Sequence, residues 1–203
     1  VIWSSCSPDF GVQGVVDRFK QIKPKVLITS NYYFYNGKKI NILEKVNSIL
    51  EQIPSIKRTI VFPYNKKETT EIYKFINFDE VLKHSKLDET FERFEFNHPI
   101  YILYSSGTTG KPKCITHGTG NVLIEHNKEL MLHCDIRDSE KIFYYTTTGW
   151  MMWNWLIGGL TTGSSIFLFD GAPTYPKIDI LLEYCQNKNI NLFGVSAKYI
   201  DHL

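Results

Sequence analysis

The chain has 203 residues, 43% hydrophobic and 14% aromatic, with 23 Lys and Arg against 21 Asp and Glu for a formal net charge of +2. That mixture excludes disorder as the dominant state, and at this length a chain buries roughly 70% of its unfolded surface, enough for a core without disulfides or metal. Its four arginines, Arg18, Arg58, Arg93 and Arg137, are scattered among the lysines, a poor match for a polyanion-wrapping surface, so nucleic acid is not expected as a partner.

Ser7-Pro8-Asp9 reads as a helix start, and Phe10, Val12, Val15, Val16, Phe19 and Ile22 trace one face up to Lys23-Pro24. Val26 to Thr29 is a short apolar run that suits a strand covered on both faces, and Asn36-Gly37 marks a turn. Ile42, Leu43, Val46, Ile49 and Leu50 recur at helical spacing, and Thr59 to Phe62 is a β-branched run stopped by Pro63, completing a strand-helix-strand unit. Residues 64 to 98, rich in Lys, Glu and Asn, read as surface helix and loop.

The second half repeats the alternation. Strands are expected at Pro99 to Tyr104, Lys141 to Thr146, Ser165 to Phe169 and Ile190 to Val195, and helices at Asn121 to Leu132, Trp150 to Leu160 and Ile178 to Asn187. The fold class is therefore α/β with a doubly wound, mostly parallel sheet. Trp150 to Phe169 is uncharged, but its Gly, Thr and Ser cluster falls where a helix should turn into a strand, so no membrane span is expected.

Cys6, Cys114, Cys134 and Cys185 show no paired spacing, which points to neither a disulfide scaffold nor a zinc site and favours a reducing compartment. With no Asn-x-Ser/Thr sequon and no charged leader before an apolar core, the cytosol is expected. The chain opens at Val1 in hydrophobic sequence and stops at Leu203 just after a helix opening at Ser196, the pattern of a piece of something longer. Oligomeric state leaves no mark in the sequence.

The sharpest local signal is Tyr101-Ile-Leu-Tyr-Ser-Ser-Gly-Thr-Thr-Gly-Lys-Pro-Lys113. A buried strand runs into hydroxyls, glycines and two cations, an inventory that fits a polyphosphate: Gly107 and Gly110 permit close backbone approach, Ser105, Ser106, Thr108 and Thr109 donate, and Lys111 and Lys113 supply charge. It is not a Walker A loop, since two residues separate the glycines and Pro112 follows Lys111. Gly118-x-Gly120 fails as a dinucleotide fingerprint because Leu123 stands at the third glycine position. By composition alone a polar surface turn and a phosphate cradle are even.

Tyr104-Ser-Ser-Gly-Thr-Thr-Gly-Lys-Pro-Lys113 resembles the signature loop of the adenylate-forming superfamily of acyl-CoA synthetases, luciferases and peptide-synthetase adenylation domains. Ile2-Trp-Ser-Ser-Cys-Ser-Pro-Asp-Phe-Gly11, Cys114 in place of the common glycine, Tyr145-Thr-Thr-Thr-Gly-Trp-Met-Met-Trp-Asn-Trp155 and Phe169-Asp-Gly-Ala-Pro173 narrow the resemblance to its acetoacetyl-CoA synthetase branch. The resemblance implies that the loop holds the β- and γ-phosphates of ATP, with Lys113 catalytic, while a carboxylate attacks the α-phosphate. Mg²⁺ assists, and the acyl group then passes to coenzyme A. Residues 1–203 would be part of the large N-terminal adenylation domain, without the mobile C-terminal lid, the acidic Mg²⁺ ligand or the ribose-binding Asp, so that the fragment alone would be inactive.

Carried over by the same resemblance, Trp150 lines the acyl pocket with Met151 and Met152 beside it, while Trp153 and Trp155 pack in the core; Ser196 in Gly194-Val-Ser-Ala-Lys198 lies near the substrate and also suits a helix cap. His117 is placed near the nucleotide or substrate. His126 and His133, seven apart, share a helical face, and without a third ligand they read as ordinary helix histidines; no metal ligands are assigned, and Cys114 is structural. Another short-chain acid such as acetate or propionate is the alternative substrate, and a truncated, non-catalytic nucleotide-binding product the alternative of a different kind.

Overall fold

The computed structural model describes residues 1–65, 75–84, 90–106 and 110–203. The chain is an α/β protein with parallel sheets, and it divides into two compact units, one of Val1–Ser7, Phe94–Leu103 and Ile115–Leu203, the other of Pro8–Arg93 and Tyr104–Cys114.

The unit holding Pro8–Arg93 contains α1 (Val12–Ile22), β1 (Val26–Ser30), β2 (Tyr32–Tyr35), β3 (Lys38–Asn41), α2 (Leu43–Gln52), β4 (Arg58–Phe62), β5 (Ile76–Asn77) and α3 (Phe78–His84). Strands β1, β4 and β5 pair in that order, all parallel, with Leu27 opposite Thr59 and Ile60 opposite Ile76. Each long helix buries one stripe, Val15, Val16 and Phe19 on α1 and Leu43, Val46 and Ile49 on α2. Asn31, with 0% exposure, pins the sheet's end: its Oδ1 accepts from the amides of Tyr32 at 3.1 Å and Tyr64 at 2.9 Å.

Three expectations change here. Helix α1 starts at Val12, with Gly11 as the capping position and no side-chain cap; the chain before it is held instead by Lys45 Nζ donating to the Pro8 carbonyl at 2.7 Å. The Asn36-Gly37 turn joins an antiparallel hairpin, β2 with β3, that the polar sequence Lys-Lys-Ile-Asn concealed; positive φ at both residues, 48° and 72°, is the conformation a two-residue hairpin loop requires. Strand β1 is not covered on both faces, since Val26 and Ile28 stay 48% and 41% exposed. An apolar run signals a strand but not how many layers lie over it.

In the other unit Trp3 lies parallel to β6 (Pro99–Ser105), bridging Tyr101, and β6 pairs with β7 (Lys113–Gly118), a strand the sequence did not announce. Then follow α4 (Thr119–Asn127) running into a π turn at Lys128–His133, β8 (Lys141–Tyr144), α5 (Met151–Gly158) running into a 3₁₀ turn, β9 (Ser165–Phe167), α6 (Ile180–Lys188), β10 (Leu192–Gly194) and α7 (Ala197–Ile200). Strands β10, β8 and β9 form a parallel sheet in that order. One core cluster sets Ile142 against Leu130, Ile136 and Leu156, another sets Phe143 against Leu181 and Tyr199. The π turn, closed by the Cys134 amide reaching the Glu129 carbonyl at 2.9 Å, overturns the shared face of His126 and His133: His126 is buried and the His133 side chain is 60% exposed.

Candidate functional site

The loop between β6 and β7 begins at the half-buried Ser105, which ends β6, and the exposed Ser106; Gly107, Thr108 and Thr109 lie outside the described residues. Gly110 has a φ of +119° and open space where a Cβ would stand, so backbone conformation rather than crowding demands glycine there. Lys111 and Lys113 are both exposed. Lys111 lines an open hollow of about 230 Å³ with Gln13, Asp17, Lys20, Gln21 and Gln52. Two contacts join α1 to this segment. The Arg18 guanidinium lies over the Phe10 ring at 4.7 Å and the Tyr104 ring at 5.8 Å, and Gln21 Nε2 donates to the Pro112 carbonyl at 2.9 Å. Sequence reading had no signal for either, because an exposed Gln and a half-buried Arg on a helix carry no pattern.

Among the described residues the segment thus presents the exposed cations Lys111 and Lys113 and the exposed hydroxyl of Ser106, groups of the kind that bind phosphate. Cys114 is exposed, and desolvation raises its thiol above the ordinary value, the opposite of what a nucleophile requires. His117, on β7, tilts over the Tyr101 ring with centroids 5.0 Å apart, and burial lowers its pKa. His126 has its pKa lowered as well, chiefly by burial, against the opposing pull of Glu125 and with His117 lowering it further. It fills the space beside Gly158, where a Cβ would come within 2.4 Å of its Nδ1.

In the unit built on β8 a cavity of about 200 Å³ opens where Phe143, Tyr144, Thr146, Trp153, Leu156, Leu168, Phe169 and Asp170 converge. It extends past the carboxyl ends of β8 and β9, the position where open parallel sheets take ligands. The segment after β8 is strapped in place: Tyr145 Oη donates to the Gly171 carbonyl at 2.8 Å, Thr148 Oγ1 to the Cys6 carbonyl at 3.3 Å, and Ser5 Oγ to the Thr148 carbonyl. The Oγ1 of Thr147 is buried with no hydrogen-bond partner, leaving a polar group in the same segment.

Of the residues carried over by resemblance, Trp150 and Met151 stand at the start of α5, 62% and 55% exposed. Trp155 packs edge-on against Tyr144 at 6.0 Å, as expected of a core residue. Trp153, expected in the core, is half-buried and, with the core residues Phe143 and Leu156, lines the cavity. Ser196 is exposed and caps α7, accepting from the Tyr199 amide at 3.3 Å. Among the described residues no three of His, Cys, Asp or Glu gather to hold a metal ion, and no helix is long and apolar enough to cross a membrane.

A family model described as AMP-binding enzyme matches residues 1–203. The chain is 45% identical over 207 residues to the acetoacetyl-CoA synthetase of Gallus gallus and 45% identical over 205 residues to the acetoacetyl-coenzyme A synthetase of Rhizobium meliloti (strain 1021), covering 98% of this chain and 31% of the relative each time. The solved structure of acetoacetyl-CoA synthetase from Streptomyces lividans matches with a TM-score of 0.92 at 40% identity, over 99% of this chain and 31% of that one. The chain therefore spans 31% of the length of these curated relatives.

Proposed function

Since the chain belongs to the AMP-binding enzyme family, whose model runs its whole length, we propose that it serves an ATP-dependent, AMP-forming ligase that converts acetoacetate and coenzyme A to acetoacetyl-CoA. The observation that carries this reading is the 45% identity, over 98% of the chain, to acetoacetyl-CoA synthetases. The loop's inventory agrees with it chemically.

In the proposed reaction the acetoacetate carboxylate attacks the α-phosphorus of ATP, the bond to the β-phosphate oxygen breaks, and pyrophosphate leaves. The coenzyme A thiolate then attacks the acyl carbon of the adenylate, expelling AMP. Negative charge grows on the departing pyrophosphate, and fixed donors and cations aimed at that charge lower the barrier. We assign this work to Ser105, Ser106, Gly107, Thr108, Thr109, Gly110, Lys111 and Lys113, with Lys113 contributing most. Mg²⁺ would supply further charge on the phosphates, but the described residues gather no three-ligand set for it. Trp150, Met151 and Ser196 are assigned to the acyl side. We read residues 1–203 as part of an adenylation domain and place the ligase in the cytosol.

Replacing Lys113 with Ala in the natural polypeptide should lower acetoacetate-dependent ATP–pyrophosphate exchange by about a hundredfold or more, the scale on which single charge-stabilising donors act, while leaving the unfolding midpoint in place. Undiminished exchange would remove the loop from the mechanism. Acid preference is checked in parallel with acetate, propionate and 3-hydroxybutyrate: related acids differ by only about 1–3 kcal/mol in such a pocket, and faster exchange with acetate would transfer the assignment to that acid.

A further inference from the structure

Helix α1 lies in the same compact unit as Tyr104–Cys114, and its residues Arg18 and Gln21 stand three apart, on one face. The amide nitrogen of Gln21 makes two hydrogen bonds, one to the Asp17 carbonyl in its own helix at 2.7 Å and one to the Pro112 carbonyl at 2.9 Å. Both of its hydrogens are thereby directed, and the side chain is a strut between helix and loop. Pro112 joins the loop's two lysines and has its φ fixed by its ring. A trans peptide is planar, with its carbonyl and the next amide pointing in opposite directions, so holding the Pro112 carbonyl toward α1 aims the Lys113 N–H away from it. At the other stem, Arg18 Nη1 donates to the Gly14 carbonyl at 2.7 Å, which steadies the guanidinium while it covers the ring of Tyr104, the residue before Ser105.

We infer that α1 is a positioning element for the two stems of the loop: Gln21 orients the Pro112–Lys113 peptide and Arg18 fixes the entry at Tyr104, so that the Lys113 N–H is aimed before a polyphosphate arrives. The inference rests on the loop being the phosphate site. Each is assigned to act through the backbone it holds. Preorganised donors need no reorientation during the reaction, which is why a hold outside the site carries a kinetic consequence.

The test uses Gln21→Met, which keeps the length of the side chain and loses its donor, and Gln21→Lys, which restores a donor at similar reach, both in the polypeptide as the cell makes it. Without nucleotide, amide hydrogen exchange across Lys111 to Cys114 should quicken about three- to tenfold in Gln21→Met, the range set by one hydrogen bond of ordinary net strength. The KM for ATP should rise by a similar factor, with the KM for the acid and the unfolding midpoint unchanged, and Gln21→Lys should return both readouts toward the parent. Unaltered exchange in Gln21→Met overturns the inference, as does failure of Gln21→Lys to restore either readout. Faster exchange with an unmoved KM for ATP would uphold the strut and strike out the phosphate assignment instead.

Discussion

In β8 the consecutive residues Ile142 and Phe143 are buried to 0% and 1% exposure, whereas in β4 Thr59 and Val61 are inside and the flanking Arg58 and Phe62 are exposed. Successive strand side chains point to opposite faces, so β8 is covered on both sides and β4 on one. Residues Leu130, Ile136 and Leu156 cover one face of β8, and Leu181 and Tyr199 the other. Beneath β4, Val61 meets Leu43 and Phe75. Two sheets of the same size and the same parallel sense thus rest on different supports. The doubly covered one carries a cavity past its strand ends, where a rigid frame holds lining residues in place; the singly covered one is bordered by a helix that holds a loop.

Changes on the strands probe that contrast most directly. Phe143→Ala should cost about 3–5 kcal/mol, read from the denaturant midpoint of the unit that holds β8, because both the ring and its well-packed surroundings are lost. Gly158→Ala should cost less, about 1–3 kcal/mol for an added methyl forced against His126, partly offset by the better helix propensity of alanine. If that substitution were stabilising, the closeness of α4 and α5 over the sheet would not be a constraint. Ile28→Thr, on the open side of β1, should move the midpoint by no more than about 0.5 kcal/mol. A loss as large as that of Phe143→Ala would mean that β1 is covered after all.

Much of this architecture is written in apolar runs: Thr59 to Phe62, Lys141 to Thr146 and Ile190 to Val195 all contain strands, and Ile42, Val46 and Ile49 mark the inner face of a helix. The polar strands escaped because their stability comes from partners. Lys38–Asn41 is held by its hairpin and Lys113–Gly118 by β6, and neither has alternation of its own. The loop could be picked out from its cluster of hydroxyls, glycines and lysines, an inventory that suits a polar turn as well as a phosphate cradle until its resemblance to the adenylate-forming signature is added. What steadies it could not. The bond from Gln21 to Pro112 joins residues 91 apart, and Asn31, fully buried, ties strand ends together without any periodic trace. Trp153 shows the converse: its apolar bulk announces packing, and only the geometry of α5 adds that it also lines the cavity.

The π turn at Lys128–His133 acts on this chain as a phase slip. One residue accommodated in a turn without lengthening the hydrogen-bonded path rotates everything after it by about 100° around the helix axis. The sequence on either side of Lys128 therefore obeys two different clocks: His126 is buried at 9% exposure, while His133, seven residues on, has a side chain 60% exposed. A substitution chosen by counting heptads from Asn121 is right as far as Asn127 and a quarter-turn wrong beyond it.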